Sequence, residues 1–301
     1  MVRYTVAVCN YNMAETVGES LRSILEQIDS RFEVVCVDGG STDGSQSVLE
    51  DLSKEYEQLR VDLQDPDPNR HLGADRNRSF ELANGDYVLE SFDCDNYYYD
   101  IIDDFVKLYH QFESGVNKEF LLSAMGINMA PRTLALQVPY RNLGGAEDRD
   151  WFRRLAARDA VLWVKRTTHI ADLIGYEKNM RRKIRRDVNG KICDIQSGIT
   201  LWSTVKWALS PDHPYIYERR RPLHQEVIKR IYDILTYPYA YCQAQNKPQY
   251  MAPKGFTQKG DLERTIAHHR KLAPELADEL GIELDCSRLS PLGRRAFCGS
   301  E

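Results

Sequence analysis

Asp93 and Asp95 stand one residue apart at the end of the run Tyr87-Val88-Leu89-Glu90-Ser91-Phe92. Side chains two apart at a strand end point to the same side, so the two carboxylates face a common point. Such a pair can hold a hard divalent cation, directly or through water. Mg2+ and Mn2+ are the natural occupants, because both take carboxylate oxygen together with substrate phosphate. A cation there would neutralise charge building on a departing diphosphate. A bare Asp-x-Asp is also how a solvated acidic turn reads; the buried strand before it favours the site. A second acidic group lies in Gly145-Ala146-Glu147-Asp148-Arg149-Asp150-Trp151. The helix dipole alone enriches acids at a helix start, but one of these carboxylates could serve as a general base toward an attacking hydroxyl. Arg76, in Gly73-Ala74-Asp75-Arg76-Asn77, could clasp a phosphate through a two-pronged contact, the plain alternative being a surface arginine.

The elements that would carry these residues are legible from periodicity. Residues 4–9 alternate and are rich in β-formers, which predicts a first strand. A helix follows with Val17, Leu21, Ile24, Leu25 and Ile28 on one face, and Asn12 with Glu15 suits a capping box. Residues 33–37 form a continuous apolar run, as expected of a strand buried on both faces. The turn Gly39-Gly40-Ser41-Thr42-Asp43-Gly44 leads to a helix lined by Val48, Leu49, Leu52 and Tyr56. A short strand at 61–63, a Pro-rich loop at 65–70, a helix at about 74–83 stopped by Asn84-Gly85 and a strand at 86–92 complete a β-α-β-α-β order. That order predicts a mostly parallel α/β sheet with helices on its faces. Ligands of such sheets bind outside the carboxyl ends of the strands, where Asn10, Asp38 and Asp93 all fall. Further on, 100–112 and 147–157 read as helices, 119–125 and 160–164 as extended, 133–138 as extended or turn, and 177–191 as a basic helix. A boundary near 195–212 divides a domain over 1–200 from a mainly helical extension over 201–301.

At 301 residues, with 42% apolar and 28% charged residues and a net charge of −5, the composition suits a water-soluble enzyme with no overall basic field for nucleic acid. The seven cysteines are scattered singly, and an odd, irregular set predicts reduced thiols in a cytosolic setting. The N-terminal residues enter a strand at once, so no signal peptide is expected, and no run approaches the ~20 apolar residues of a membrane span.

Taken together, Asn10-Tyr11-Asn12, Val37-Asp38-Gly39-Gly40-Ser41-Thr42-Asp43-Gly44, Arg76-Asn77, Asp93-Cys94-Asp95 and Glu147-Asp148, in this order, resemble a family 2 glycosyltransferase of the GT-A fold over roughly residues 4–165. The resemblance implies a nucleotide-sugar donor, a divalent metal, Mg2+ or Mn2+, and inversion at the anomeric carbon. It implies that Tyr11 and Asp38 lie near the nucleoside, with Asn10, Asn12, Gly39 and Arg76 in the same donor site. Asp93 and Asp95 would meet the diphosphate and metal, and Asp148, beside Glu147, would be the catalytic base. The chain departs from its relatives in three ways: Gly39 stands where many carry a second Asp that contacts the base, Asn96 replaces a frequent third Asp, and the stretch Glu90–Phe92 is one residue longer than usual, which predicts a bulge. The interval from Asp95 to Glu147 is short and predicts a small acceptor-side insert. The acceptor would be a saccharide or lipid-linked group. A sugar nucleotidyltransferase would carry a Gly-rich basic loop after the first strand, where Asn10-Tyr11-Asn12 stands instead, and a dehydrogenase a GxGxxG. A non-catalytic nucleotide-sugar-binding module remains the other alternative.

Lys178, Arg181, Arg182, Lys183, Arg185, Arg186 and Lys191 crowd one segment over an apolar stripe of Met180, Ile184 and Val188. Residues 178–191 therefore suit a helix on an anionic membrane surface, which would make the protein cytoplasmic and peripheral at the inner membrane face. A grip on a lipid-linked acceptor's phosphate and a docked helix with a solvated basic face are the alternatives. RNA binding would want aromatic residues among the charges, so no nucleic-acid partner is expected. His169 could touch metal or diphosphate, though a lone His is more often structural. His268-His269 lacks a carboxylate partner at metal spacing. Tyr215, Tyr217, Tyr237, Tyr239 and Tyr241 could line an acceptor groove or pack the extension.

Overall fold

Seven consecutive buried residues make β1 (Tyr4–Asn10) and seven more make β2 (Phe32–Asp38). Burial of every residue is what helices on both faces of a parallel sheet require. The computed structural model describes residues 2–166, 170–173, 180–210 and 223–299. His169, Lys178, Tyr215 and Tyr217 lie outside them, as do the side chains of Met180, Arg181 and Arg182.

The remaining strands are β3 (Leu59–Leu63), β4 (Tyr87–Asp93), β5 (Asn96–Tyr98), β6 (Leu121–Ser123), β7 (Asn128–Pro131), β8 (Val161–Trp163) and β9 (Ile170–Asp172). The helices are α1 (Val17–Leu25), α2 (Ser45–Glu55), α3 (Leu72–Leu82), α4 (Ile102–Glu113), α5 (Arg132–Gln137), α6 (Glu147–Ala156), α7 (Met180–Gln196), α8 (Leu201–Leu209), α9 (Leu223–Ala244), α10 (Asp261–His269) and α11 (Ala273–Leu280). A seven-stranded sheet runs in the order β3-β2-β1-β4-β7-β6-β8. The β3-β2-β1-β4 half is wholly parallel, β7 is antiparallel to β4 and β6, and β8 returns parallel to β6. This is the mostly parallel, helix-flanked α/β sheet that the sequence predicts, followed by a helical C-terminal region. β5 and β9 form a separate antiparallel pair.

The chain divides into two compact units, each drawing on separated stretches of sequence. The first comprises residues 1–139, 160–175 and 270–301, the second 140–159 and 176–269. This partition by contacts is not a single cut near residue 200. The first unit holds both sheets and a core in which Val6, Val8, Leu21, Ile24, Val34, Leu89 and Phe92 are buried with Phe105, Tyr109 and Phe120 of α4 and its surroundings. The tail returns to this core: Phe297 is buried against Phe105, ring centroids 5.6 Å apart. Gln111 Oε1 accepts from Asp285 N and Asp104 Oδ1 from Ser290 N. In the second unit, Tyr140 stacks on Trp151 of α6 at 4.6 Å, and Val188, Ile192 and Ile195 of α7 pack with Ala240 and Ala244 of α9.

Three expectations are corrected. Helix α1 starts at Val17 after Thr16, and Asn12 sits in the left-handed region at φ 53°. Its side chain serves another turn, accepting from Thr42 N at 2.9 Å. Residues 132–137 are helical, with Leu134 and Ala135 buried side by side and Leu136 exposed, a one-sided pattern that a strand cannot produce. The cysteines are not all reduced: Cys286 and Cys298 form a disulfide that closes the tail on itself. Cys9, Cys36, Cys94 and Cys193 stay free and buried, and Cys242 free and exposed. An odd total forbids complete pairing but not one pair.

Candidate active site

At the carboxyl edge of β1 and β2, two turns are laced together by polar side chains. The Asn12 amide donates to Ser41 Oγ at 2.8 Å, that of Met13 to Ser45 Oγ at 3.0 Å and that of Ala14 to Asp43 Oδ2 at 3.0 Å. Asp38, at the end of β2, is fully buried and is the hub. Its Oδ1 accepts from Gly40 N, Ser41 N and Gln46 Nε2 at 3.1, 2.8 and 2.9 Å, and its Oδ2 from Asn10 Nδ2 and Ser41 Oγ at 2.7 and 2.6 Å. Burial pushes this carboxyl up, but the donors from Ser41, Gln46 and Asn10 outweigh it and hold it below the usual carboxylate range. Asn10 is buried, whereas Tyr11 presents its ring to solvent, 59% exposed.

Gly39 leaves its space to a neighbour. A Cβ there would lie 2.8 Å from Asp75 Oδ2 and 3.6 Å from the Tyr11 ring. Gly40, at φ +86°, is covered by Pro66, whose Cα would be 2.6 Å from an added Cβ, so the loop after β3 closes over this turn. Asp75 is 6% exposed, and burial, opposed by Arg70, pushes its carboxyl up to about 6.

The carboxylate pair is built at the end of β4. Val6 pairs with Leu89 and Val8 with Phe92, so one extra residue enters the strand. Ser91 takes up the excess at φ 76°; this is the bulge that the long Glu90–Phe92 interval predicts. Beyond it Phe92 is buried against Tyr98, centroids 4.7 Å apart, while the Asp93 side chain is 42% exposed. The turn is fixed from beneath. Tyr98 Oη accepts from Asp93 N at 2.7 Å, Ser20 Oγ donates to Asp93 O at 3.2 Å, and Thr16 Oγ1 donates to Cys94 O at 2.7 Å. Cys94 is buried in the core, and Asp95, 8% exposed, accepts from Asn96 Nδ2 at 2.8 Å. Arg76 is buried rather than held out toward solvent, with Nη2 3.3 Å from Asp93 Oδ1 and Nη1 3.6 Å from Glu90. It therefore fixes the direction of the Asp93 carboxylate.

Among the described residues no three His, Cys, Asp or Glu side chains gather as a metal cage. Mg2+ and Mn2+ do not require such a cage, since both retain water and share ligands with phosphate.

In the second unit, Gly145 (φ 153°) and Ala146 (φ 59°) turn the chain into α6. Glu147 is buried, whereas Asp148 is exposed at the first turn, its Oδ1 accepting from Arg149 N at 2.7 Å. The next residues fasten the helix. Arg149 and Arg153 reach Asp194 of α7 at 3.1 and 2.8 Å, and Lys259 reaches it at 2.8 Å.

A profile of glycosyl transferase family 2 matches residues 5–185. The chain belongs to that family. Its curated relatives include the poly(ribitol-phosphate) beta-glucosyltransferase of Bacillus spizizenii, 31% identical over 98 residues, 32% of this chain and 15% of that protein. The amylovoran biosynthesis glycosyltransferase AmsB of Erwinia amylovora is 28% identical over 122 residues, 40% of each. The family 2 chain thus spans less than half the length of these relatives. Among solved structures, S. aureus TarS 1–349 aligns with a TM-score of 0.49 at 15% identity, covering 81% of this chain and 92% of that one. The mannosyltransferase PcManGT from Pyrobaculum calidifontis, solved with GDP-Man and Mn2+, aligns with a TM-score of 0.49 at 19% identity, covering 81% and 73%.

Of the residues singled out in this family 2 sequence, Asn10, Tyr11, Asn12, Asp38, Gly39, Arg76, Asp93 and Asp95 belong to the first unit, and Glu147 and Asp148 to the second. Sequence reasoning passed over Asp75 and Arg70. Asp75 stands beside the chosen Arg76 in the first turn of α3, where the helix dipole alone accounts for an acid, so no separate signal marks it in the sequence.

Proposed function

We propose that this protein is an inverting glycosyltransferase that moves a sugar from a nucleoside-diphosphate donor to an acceptor hydroxyl or lipid phosphate, with Mg2+ or Mn2+ at Asp93 and Asp95. The observation that carries the reading is the exposed Asp93 carboxylate on a bulged, hydrogen-bonded turn, at the same sheet edge as the Tyr11 and Asp38 turns. Bound there, the cation would supply charge neutralisation at the diphosphate. The chain's own residues do the rest. Tyr11 offers a face to the nucleoside, Asp38 and Asn10 keep the two turns in register, and Arg76 holds one oxygen of Asp93 and so directs its carboxylate. Asp148 takes the proton of the acceptor hydroxyl as that oxygen attacks the anomeric carbon from the face opposite the leaving group. One displacement of this kind inverts the configuration, as in inverting glycosidases. Asp95→Ala is expected to weaken donor binding about tenfold or more in calorimetry with Mn2+ and to change it little in EDTA. Equal Mn2+-dependent binding by the variant and the parent protein would remove the metal from this site.

The lipid-linked acceptor and a peripheral, cytoplasmic-face location draw support from the second unit. Lys183, Ile184 and Arg185 of α7 are exposed, and on α9 Ile228, Ile231 and Leu235 are 64%, 54% and 69% exposed. No described helix is long and apolar enough to cross a membrane. Basic residues beside such an apolar stripe suit an anionic lipid surface. The protein is expected to sediment with phosphatidylglycerol vesicles and to stay in solution with phosphatidylcholine. Its absence from both pellets would discard the membrane part of the reading.

A further inference from the structure

The nucleoside end of the site holds two carboxyls, and only one has capacity to spare. The oxygens of Asp38 are already engaged by five protein donors, so no lone pair is left for a ligand. Asp75 is the opposite case. It is 6% exposed, its Oδ2 lies over Gly39 in the space a side chain there would fill, and its Oδ1 is buried without a hydrogen bond. Arg70 Nε lies 3.2 Å from that Oδ1, near enough to pair in charge, yet it too is buried without a hydrogen bond. The Arg70 side chain is anchored elsewhere, Nη1 donating to Gln64 Oε1 at 3.1 Å and Nη2 to Asp65 O at 2.6 Å. A buried donor and a buried acceptor that do not satisfy each other are costly to leave so. Side by side next to the exposed Tyr11 ring, they match a flat ligand carrying an N–H beside a carbonyl.

We propose that Arg70 and Asp75 read the edge of a nucleobase lying against Tyr11, Asp75 accepting from a ring N–H and Arg70 donating to the adjacent carbonyl. This rests on the nucleoside-diphosphate donor proposed above and specifies its base. Uracil, thymine and guanine carry such an N–H beside a carbonyl. In the same placement cytosine and adenine set a ring acceptor against Asp75 and an amino donor against Arg70, and they match the pair only by shifting until the amino group meets Asp75, away from the proposed ring N–H contact. Losing a match of this kind weakens binding about tenfold or more per group. Gly39 is then a glycine because the reading carboxylate comes from α3 rather than from the β2 turn.

The charge state follows from the surroundings. Burial raises the Asp75 carboxyl to about 6, Arg70 from the loop before α3 and Arg76 on α3 lower it, and Asp38 of β2 and Asp62 of β3 raise it. The accepting, ionised form therefore prevails above pH 6 and is lost as pH falls through that value.

Calorimetry with UDP, TDP, GDP, CDP and ADP, each with Mn2+ at pH 7.5, tests the assignment in the parent protein and in Asp75→Asn. The tightest ligand is expected among UDP, TDP and GDP, at least tenfold ahead of CDP and ADP, and Asp75→Asn should shrink that margin to a few-fold. Between pH 7.5 and 5.5 the preferred nucleotide should weaken more for the parent than for the variant. The ligand's own phosphate titrates alike in both, so the difference isolates Asp75. A margin unchanged in Asp75→Asn, or CDP or ADP among the tight binders, overturns the assignment while leaving the donor reading intact. Failure of every nucleoside diphosphate to bind overturns both. Should the variant not fold, the parent's own base preference still decides: tight CDP or ADP binding refutes the pairing.

Discussion

Asp148→Asn is expected to lower turnover by about 10²-fold or more while leaving the affinity for the donor within a few-fold, because a general base typically contributes ~10²–10⁴ in rate. The substitution is nearly isosteric, and an amide oxygen can still accept from the Arg149 N–H that the Asp148 carboxylate holds at 2.7 Å. The first turn of α6 is thus preserved, and the lost charge at the helix start is worth only ~0.3–1 kcal/mol. The resemblance implies Asp148 rather than Glu147, and exposure agrees, since Glu147 is 4% exposed and has its contacts inside the protein. The measurement is steady-state transfer beside donor calorimetry on the same preparation. Near-normal turnover would reject Asp148 as the base, and donor binding without transfer or hydrolysis in the parent protein would mark a binding module.

The second large effect is on stability. Asp194→Ala is expected to destabilise the second unit by about 3–5 kcal/mol, because removing one partner of a buried ion cluster strands the others. Asp194 is 1% exposed and sits among Arg153, Lys259 and Arg149. Burial alone would push its carboxyl up, but Arg149, Lys259 and Arg153 hold it well below the usual carboxylate range. A depressed carboxyl contributes stability that is complete above its unfolded value of about 4 and fades as pH falls toward the folded value. Urea unfolding of the parent and variant should therefore differ most at neutral pH and converge on acidification. A gap independent of pH would mean that the charge of Asp194 is not what fastens α6 to α7.

The first half of the chain was legible for a simple physical reason. Its strands are buried on both faces and its helices are amphipathic, so composition and period agree with the final structure at β1, α1, β2 and α2. The extra residue before Asp93 announced the bulge at Ser91 because strand register admits no surplus residue without one. What stayed hidden depended on side chains meeting across the fold. Asn12 has the composition of a helix cap, yet the partner that claims it, Thr42, lies thirty residues on, in the next turn. Asp38 looks like a ligand-binding carboxylate, and only the set of donors around it shows that its oxygens are taken. The space over Gly39 belongs to Asp75 of another element, which no local pattern can express. The pairing of Cys286 with Cys298, at a separation of 12, likewise has no signature in cysteine count or spacing.

Residues 270–301 belong to the first unit, and Phe297, Ser290 and Asp285 meet α4 there. A polypeptide trimmed after His269 would bare the aromatic face of α4 and leave Asp104 and Gln111 without these partners. The first unit cannot then be obtained as an N-terminal fragment, whether the cut falls after His269 or at residue 185, where the family match ends. It is stitched together from the beginning and the end of the chain, and any shortened version must keep both.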